Sequence, residues 1–106
     1  MSRTYEMQVR IDDYDPARRR EIEQAAEAEW PPFKGDWYEY ENSIGAAGKG
    51  NRVEGETGEE FADGLARAIW KANGEYCGID VRAIYLEDPP YDYYPYGEEE
   101  YAEMMK

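Results

Sequence analysis

The sequence predicts an α+β fold in which a four-stranded antiparallel sheet carries two helices on one face. Three observations lead to this prediction. Apolar and polar residues alternate in segments 4–11 and 77–85, as they do in strands with one buried face. Residues 57–73 repeat apolar side chains at helical spacing behind a Thr-x-x-Glu capping box. The predicted elements follow one another in the order β-α-β-β-α-β.

A first helix is predicted directly after the first strand. Asp15 is suited to be its N-cap, and Pro16 suits its first position, where a missing N–H costs nothing. The proline pair that follows Trp30 cannot continue the helical hydrogen bonding. The helix is therefore expected over residues 16–30.

The next two strands are predicted to form a hairpin from residues 36–44 and 52–56, joined by the glycine-rich segment 45–50. In the stretch WYEYE, Tyr38 and Tyr40 are expected to point towards the core. The same alternation assigns the opposite face of the sheet to Trp37, Glu39 and Glu41.

The chain is predicted to form one domain over residues 1–88, followed by an acidic, tyrosine-rich tail over residues 89–106. Its length of 106 residues fits a single domain with one modest core. The predicted element order is that of the ferredoxin-like split βαβ fold, which leaves one face of the sheet free of helices.

The charge of the chain restricts its partners. Twenty-five acidic residues against 12 basic ones give a net charge of −13, which repels nucleic acid and anionic membranes and attracts basic proteins. We therefore expect no direct nucleic-acid or membrane binding. A single cysteine and the lack of a basic segment leading into an apolar one predict a cytoplasmic protein.

Catalysis is not expected. The chain has no histidine and one cysteine, which removes the commonest general base and the Cys/His zinc sites. Asp12, Asp13 and Asp15 lack the spacing of a calcium-binding EF-hand loop. Segment 45–50, with Lys49, departs from the phosphate-binding loop sequence. No cofactor or metal site is predicted.

The free face of the predicted sheet is the first candidate binding surface. Carboxylates at positions i and i+2 of a strand lie about 6.6 Å apart, loosely comparable with successive phosphates of a nucleic acid. The alternative is a solvated face of cross-strand Glu–Arg pairs. The predicted partner-binding residues on this face are Glu6, Trp37, Glu39, Glu41, Glu54, Glu56 and Asp80.

The second candidate surface surrounds Trp70. This residue lies about 180° around its helix from Phe61 at roughly 100° per residue, and it shares that side with Glu59 and Asp63. An exposed Trp flanked by acids is suited to anchor an interface. In the alternative, the tyrosine-rich tail folds back and covers Trp70.

In size, charge and tyrosine content, the whole chain resembles the small acidic proteins with which phages and mobile elements mimic nucleic acid, in particular the anti-CRISPR inhibitors of type I systems. The resemblance implies a non-enzymatic inhibitor that binds the basic DNA-binding surface of a Cascade effector and blocks target-DNA binding. The alternative function is an acidic interaction module, such as an immunity protein or adaptor, that uses Trp70 and the tail.

Overall fold

The computed structural model describes residues 3–52, 58–85 and 92–105. In chain order, its elements are β1 (Arg3–Asp12), α1 (Arg19–Glu29), β2 (Tyr38–Tyr40), β3 (Ser43–Arg52), α2 (Gly58–Asn73), β4 (Gly78–Tyr85), β5 (Asp92–Tyr96) and α3 (Glu98–Met104). Two 3-10 turns flank α1, at Pro16–Arg18 and Pro31–Phe33.

The five strands form one antiparallel sheet in the order β2-β3-β1-β4-β5. The predicted four-stranded ferredoxin-like sheet with two helices is therefore wrong, because the described part of the chain has five strands and three α-helices. The additional strand, β5, and the additional helix, α3, come from residues that the sequence assigned to a tail. The fold is still α+β.

Strand β1 lies at the centre of the sheet and pairs with β3 on one side and β4 on the other. Its alternating apolar side chains Met7, Val9 and Ile11 are at most 2 % exposed and belong to the main hydrophobic core. Ile22 of α1 and Leu65 of α2 belong to the same core, so both helices cover this face of the sheet. The opposite face carries no helix from the described residues and is called the open face below.

The first helix begins as predicted with an aspartate cap, but in two steps. The Asp15 carboxylate accepts a hydrogen bond from the Ala17 amide at 3.0 Å, and Pro16 starts a 3-10 turn that leads into α1. After α1, the Trp30 indole donates to the Gly48 carbonyl oxygen at 3.0 Å. Trp30 therefore ties the end of the helix to strand β3.

The hairpin differs from its prediction. Strand β2 has only three residues, the turn lies at Glu41 and Asn42, and the predicted glycine-rich loop is part of β3. A Cβ on Gly48 would lie 2.5 Å from the Pro32 carbonyl oxygen, and one on Gly45 would lie 2.5 Å from the Tyr38 ring. Small residues are thus required in this strand, where neighbouring groups approach its backbone closely.

Helix α2 packs an unusually wide apolar surface. Phe61, Leu65 and Ile69 face the core as predicted, and all three are at most 6 % exposed. The helix stops at Gly74, whose φ of +81° belongs to the left-handed region that glycine tolerates. The predicted capping residue Thr57 lies outside the described residues.

The C-terminal segment completes both the sheet and the core. Strand β5 pairs with β4, and Tyr96 of β5 is 6 % exposed within the main core. Helix α3 follows after Gly97, whose amide donates to the Glu100 carboxylate at 2.7 Å. Tyr101 and Met104 of α3 pack against the core from outside.

Candidate functional site

The open face carries two of the predicted carboxylates, but it is not an acidic surface. Glu6 and Asp80 lie on it, and each accepts a side-chain hydrogen bond of 2.7 Å, from Gln8 and Tyr93 respectively. Cations lie among them: Arg10 stands opposite Asp80 in the register of β1 and β4. The balanced alternative, with acids and bases side by side, describes these residues better than a row of carboxylates does.

Glu39 and Glu41 do not share one face of a strand. Glu39 pairs with the buried Ile44, and its carboxylate lies 3.2 Å from the Arg19 guanidinium of α1, so it points to the helical side. Glu41 lies in the turn with a φ of +53°. The prediction is wrong for these residues because the turn at Glu41 and Asn42 divides the predicted strand 36–44, so that one alternation of faces does not run through the whole segment.

The aromatic residues of WYEYE change faces for the same reason. Tyr38 and Tyr40 are 55 % and 64 % exposed and lie on the open face instead of in the core. Trp37 is half-buried on the other side, where its ring packs on Phe33 and its indole donates to Glu27 at 2.9 Å. Two further predicted residues, Glu54 and Glu56, lie outside the described residues.

Trp70 is a core residue and not an exposed anchor. It is 1 % exposed, and its indole donates to the Cys77 carbonyl oxygen at 2.8 Å. The rings of Tyr96 and Tyr101 meet it edge to face, with centroids 5.9 Å and 5.1 Å away. The alternative in which the tail covers Trp70 is the arrangement that the structure has.

Covering Trp70 creates a groove between α2, β5 and α3. Its volume is about 310 Å³. Glu59 and Asp63, which the sequence placed beside Trp70, lie on one wall, and Glu100 and Glu103 of α3 lie on the other. The remaining lining residues are Tyr93, Tyr94, Pro95, Tyr96 and Met104. We call this feature the acid–tyrosine groove.

A partly buried hydrogen bond fixes one wall of the acid–tyrosine groove. The Tyr96 hydroxyl donates to the Asp63 carboxylate at 2.7 Å. Burial, and then this bond to an anion, raise the pKa of Tyr96 above its ordinary value, so the phenol stays protonated at neutral pH. The bond orients the Asp63 carboxylate towards the groove wall that Tyr96 forms.

Sequence reasoning missed the residues that α3 contributes to the groove. The signal was present, because Tyr101, Met104 and Met105 recur at the i, i+3, i+4 spacing of a helix that packs one face. Three glutamates in the first turn of α3 also favour the helix through its dipole. Part of the acidity of the tail therefore has a structural role.

The single thiol of the chain is buried. Burial raises the pKa of the Cys77 thiol to about 12, so it is held as the unreactive thiol. In residues 3–52, 58–85 and 92–105, no three or more Cys, Asp or Glu side chains form a group that fits a metal ion. Across the same residues, none of the helices combines the length and the apolar character needed to cross a membrane.

Comparison of the chain with protein-family models, with curated protein sequences and with solved structures finds no match. No relative therefore assigns a role to any residue. The function has to follow from the surfaces described above.

Proposed function

We propose that the protein is a non-enzymatic acidic inhibitor that binds the basic, nucleic-acid-binding surface of another protein and keeps nucleic acid from it. The acid–tyrosine groove carries this proposal. Its two walls supply carboxylates at Glu59, Asp63, Glu100 and Glu103. A chain with a net charge of −13 attracts a basic partner from a distance, and the groove gives that attraction a defined place of contact.

The chemistry of the groove suits Lys and Arg side chains. Carboxylates accept charge-assisted hydrogen bonds from both. Tyrosine rings accept a cation on their faces, and Tyr94 is one of the residues that line the groove. Proteins that hold nucleic acid present rows of these same cations to the phosphates. The groove therefore presents negative charge to the cations of such a surface, as the phosphates of a nucleic acid do.

The partner we propose is the DNA-binding surface of a type I CRISPR effector, as the resemblance to anti-CRISPR inhibitors implies. Binding there blocks target DNA. The competing proposal, an interaction module such as an immunity protein or adaptor, also places the contact at the C-terminal segment. It differs in its dependence on salt, because a contact made mainly by apolar surface persists where ion pairs are screened.

The test compares two double variants with the same net charge. Glu59→Lys/Glu103→Lys reverses one exposed carboxylate on each wall of the groove. Glu21→Lys/Glu29→Lys makes the same change at two exposed carboxylates of α1 that do not line the groove. Fluorescence anisotropy then measures how much each protein inhibits target-DNA binding by a Cascade effector. A decalysine peptide, titrated by calorimetry, probes basic segments in general.

We expect the groove variant to lose at least tenfold in both assays and the α1 variant to lose clearly less. Equal losses would show that only the total charge matters and would remove the groove from the proposal. Wild-type protein that binds decalysine through the groove but leaves the effector untouched would contradict the CRISPR partner alone. Binding that persists at about 500 mM salt, where the Debye length falls to roughly 4 Å, would favour the interaction module.

A further inference from the structure

The open face of the sheet concentrates the exposed aromatic surface of the described residues. The large hydrophobic side chains with the greatest exposure there are Tyr38 at 55 %, Tyr40 at 64 % and Tyr93 at 48 %. The two from β2 stand at one edge of the face, and Tyr93 of β5 stands near the other. Several exposed rings on one face of a sheet are typical of an interaction surface.

This face also differs from the chain as a whole in charge. Between the tyrosines, the described residues place as many cations as carboxylates, so the local charges cancel although the chain carries −13. A shallow depression of about 180 Å³, lined in part by Arg10, Asp80 and Arg82, lies in the middle of the face. The charged residues of the open face are Glu6, Arg10, Asp12, Lys49, Asp80 and Arg82.

We propose that the open face is a self-association surface on which a second copy of this chain docks. Two copies repel each other wherever acidic surfaces meet, and the repulsion is weakest where the local charge is zero. A face that holds both signs can pair with itself without the uniform repulsion of two acidic surfaces. A two-fold axis parallel to the strands lays the β2 edge of one copy, with Tyr38 and Tyr40, over the β5 edge of the other, where Tyr93 and Pro95 are exposed.

The edges of the sheet favour this face-to-face arrangement over strand pairing. Strand β5 contains Pro95, which has no N–H to donate to another strand. Strand β2 is three residues long. Past the end of β2, the Ala47 amide of β3 donates to the Asp36 carboxylate at 2.9 Å, and the Gly48 carbonyl oxygen of β3 accepts from the Trp30 indole. These two backbone groups of β3 therefore already have partners. A second copy finds no continuous edge there.

The size of the face indicates a weak dimer. Five strands at about 4.8 Å spacing, with about ten residues at roughly 3.3 Å each in the longest, give a face of roughly 20 by 30 Å. This is somewhat below the ~800 Å² per partner of standard stable complexes. We therefore expect association at high micromolar protein, strengthened by salt, because salt screens the repulsion between two copies of charge −13.

Sedimentation velocity over a range of protein and salt concentrations tests the proposal. Lys49→Glu changes a cation of the open face, and Arg67→Glu changes an exposed cation of α2 by the same charge. Tyr40→Ala removes the most exposed ring without changing the charge. We expect Lys49→Glu and Tyr40→Ala to lower the association constant at least tenfold, and Arg67→Glu less than threefold. Melting temperatures check that each variant is folded.

Two results would overturn the proposal. The first is that the open face mediates no dimer, either because wild-type protein stays monomeric up to about 1 mM at high salt or because none of the open-face variants weakens the dimer.

The second is a different occupant: tyrosines and arginines on a sheet also suit the stacking of single-stranded nucleic acid. Binding of a labelled oligo-dT by monomeric protein, lost in Lys49→Glu, would assign the face to that ligand. Neither result bears on the acid–tyrosine groove, so the two proposals fail separately.

Discussion

At the scale of single residues, Trp70 determines where the C-terminal segment packs. Its ring is enclosed by Tyr96 and Tyr101, and its N–H is bonded to a backbone carbonyl. A Trp held in this way contributes packing and a satisfied polar group at once. It couples α2 to β5 and α3, and the position of the groove walls depends on that coupling.

Two substitutions separate these contributions. Trp70→Ala should lower the free energy of unfolding by about 3–5 kcal/mol because it leaves a large cavity. Trp70→Phe keeps most of the ring but loses the bond to the Cys77 carbonyl oxygen, and it should cost less, about 1–3 kcal/mol. Urea denaturation followed by circular dichroism measures both. A cost below about 1 kcal/mol for Trp70→Ala would contradict the burial of this ring.

Cys77 predicts a dependence of stability on alkaline pH. Its pKa rises from 9.0 to about 12 in the folded chain, so its contribution is fully present below pH 9 and is lost as the pH rises towards 12. Wild-type protein should therefore lose stability in this window more steeply than Cys77→Ala, by at most about 1.4 kcal/mol per pH unit. Urea melts at a series of alkaline pH values measure the difference, and parallel slopes would show that the thiol is not buried.

At the scale of elements, the most regular segments were predictable and the small-residue strand was not. The alternation around Met7, Val9 and Ile11 and the helical spacing of Leu65 and Ile69 report burial directly, and both elements exist. Strand β3 is rich in Gly and Ala, which carry little alternation and resemble a loop. The segment is a strand because it pairs with β1 along its whole length, and the close approach of Trp30, Pro32 and Tyr38 explains its small residues. Both are visible only in the tertiary structure. Because the turn was predicted at the wrong residues, Tyr38 and Tyr40 were assigned to the core and Glu39 to the open face, which is the reverse of their positions in the structure.

Replacing a glycine by alanine should change the free energy of unfolding in opposite directions in α2 and in β3. Gly64 lies inside α2, where Ala is the better helix former, and the nearest atom to an added Cβ is a flexible Glu29 carboxylate oxygen at 3.2 Å. Gly64→Ala should therefore raise the free energy of unfolding by about 0.5–1 kcal/mol.

Gly48→Ala should instead destabilise the protein by roughly 1–3 kcal/mol, since its Cβ would meet the Pro32 backbone at 2.5 Å. Thermal and urea melts of the two variants side by side check the signs. If Gly48→Ala proved neutral, strand β3 would not pack against Pro32 as described.

At the scale of the whole molecule, the net charge of −13 works against the folded state. The acids repel one another more strongly in a compact chain than in an extended one. Raising NaCl from about 20 mM to about 500 mM shortens the Debye length from roughly 20 Å to roughly 4 Å. The melting temperature should therefore rise with salt, and differential scanning calorimetry measures it. A fall would mean that attractive ion pairs outweigh the repulsion.

The same charge predicts no stable complex with duplex DNA. The phosphates of DNA and the carboxylates of this chain repel each other, and the chain lacks the excess of cations that displaces counterions from DNA. An electrophoretic mobility shift assay at moderate salt should show only free duplex. A discrete shifted band would contradict the account of partner choice by charge.

The central place of β1 in the sheet has a consequence for biosynthesis. Its partners β3 and β4 end at residues 52 and 85, so β1 leaves the ribosome well before it can be paired on both sides. At about 5–20 residues per second, the nascent chain carries the apolar side chains Met7, Val9 and Ile11 without their final neighbours for several seconds. Glu6 and Arg10 alternate with these side chains, and charges in such positions are the kind that oppose aggregation of an exposed apolar segment.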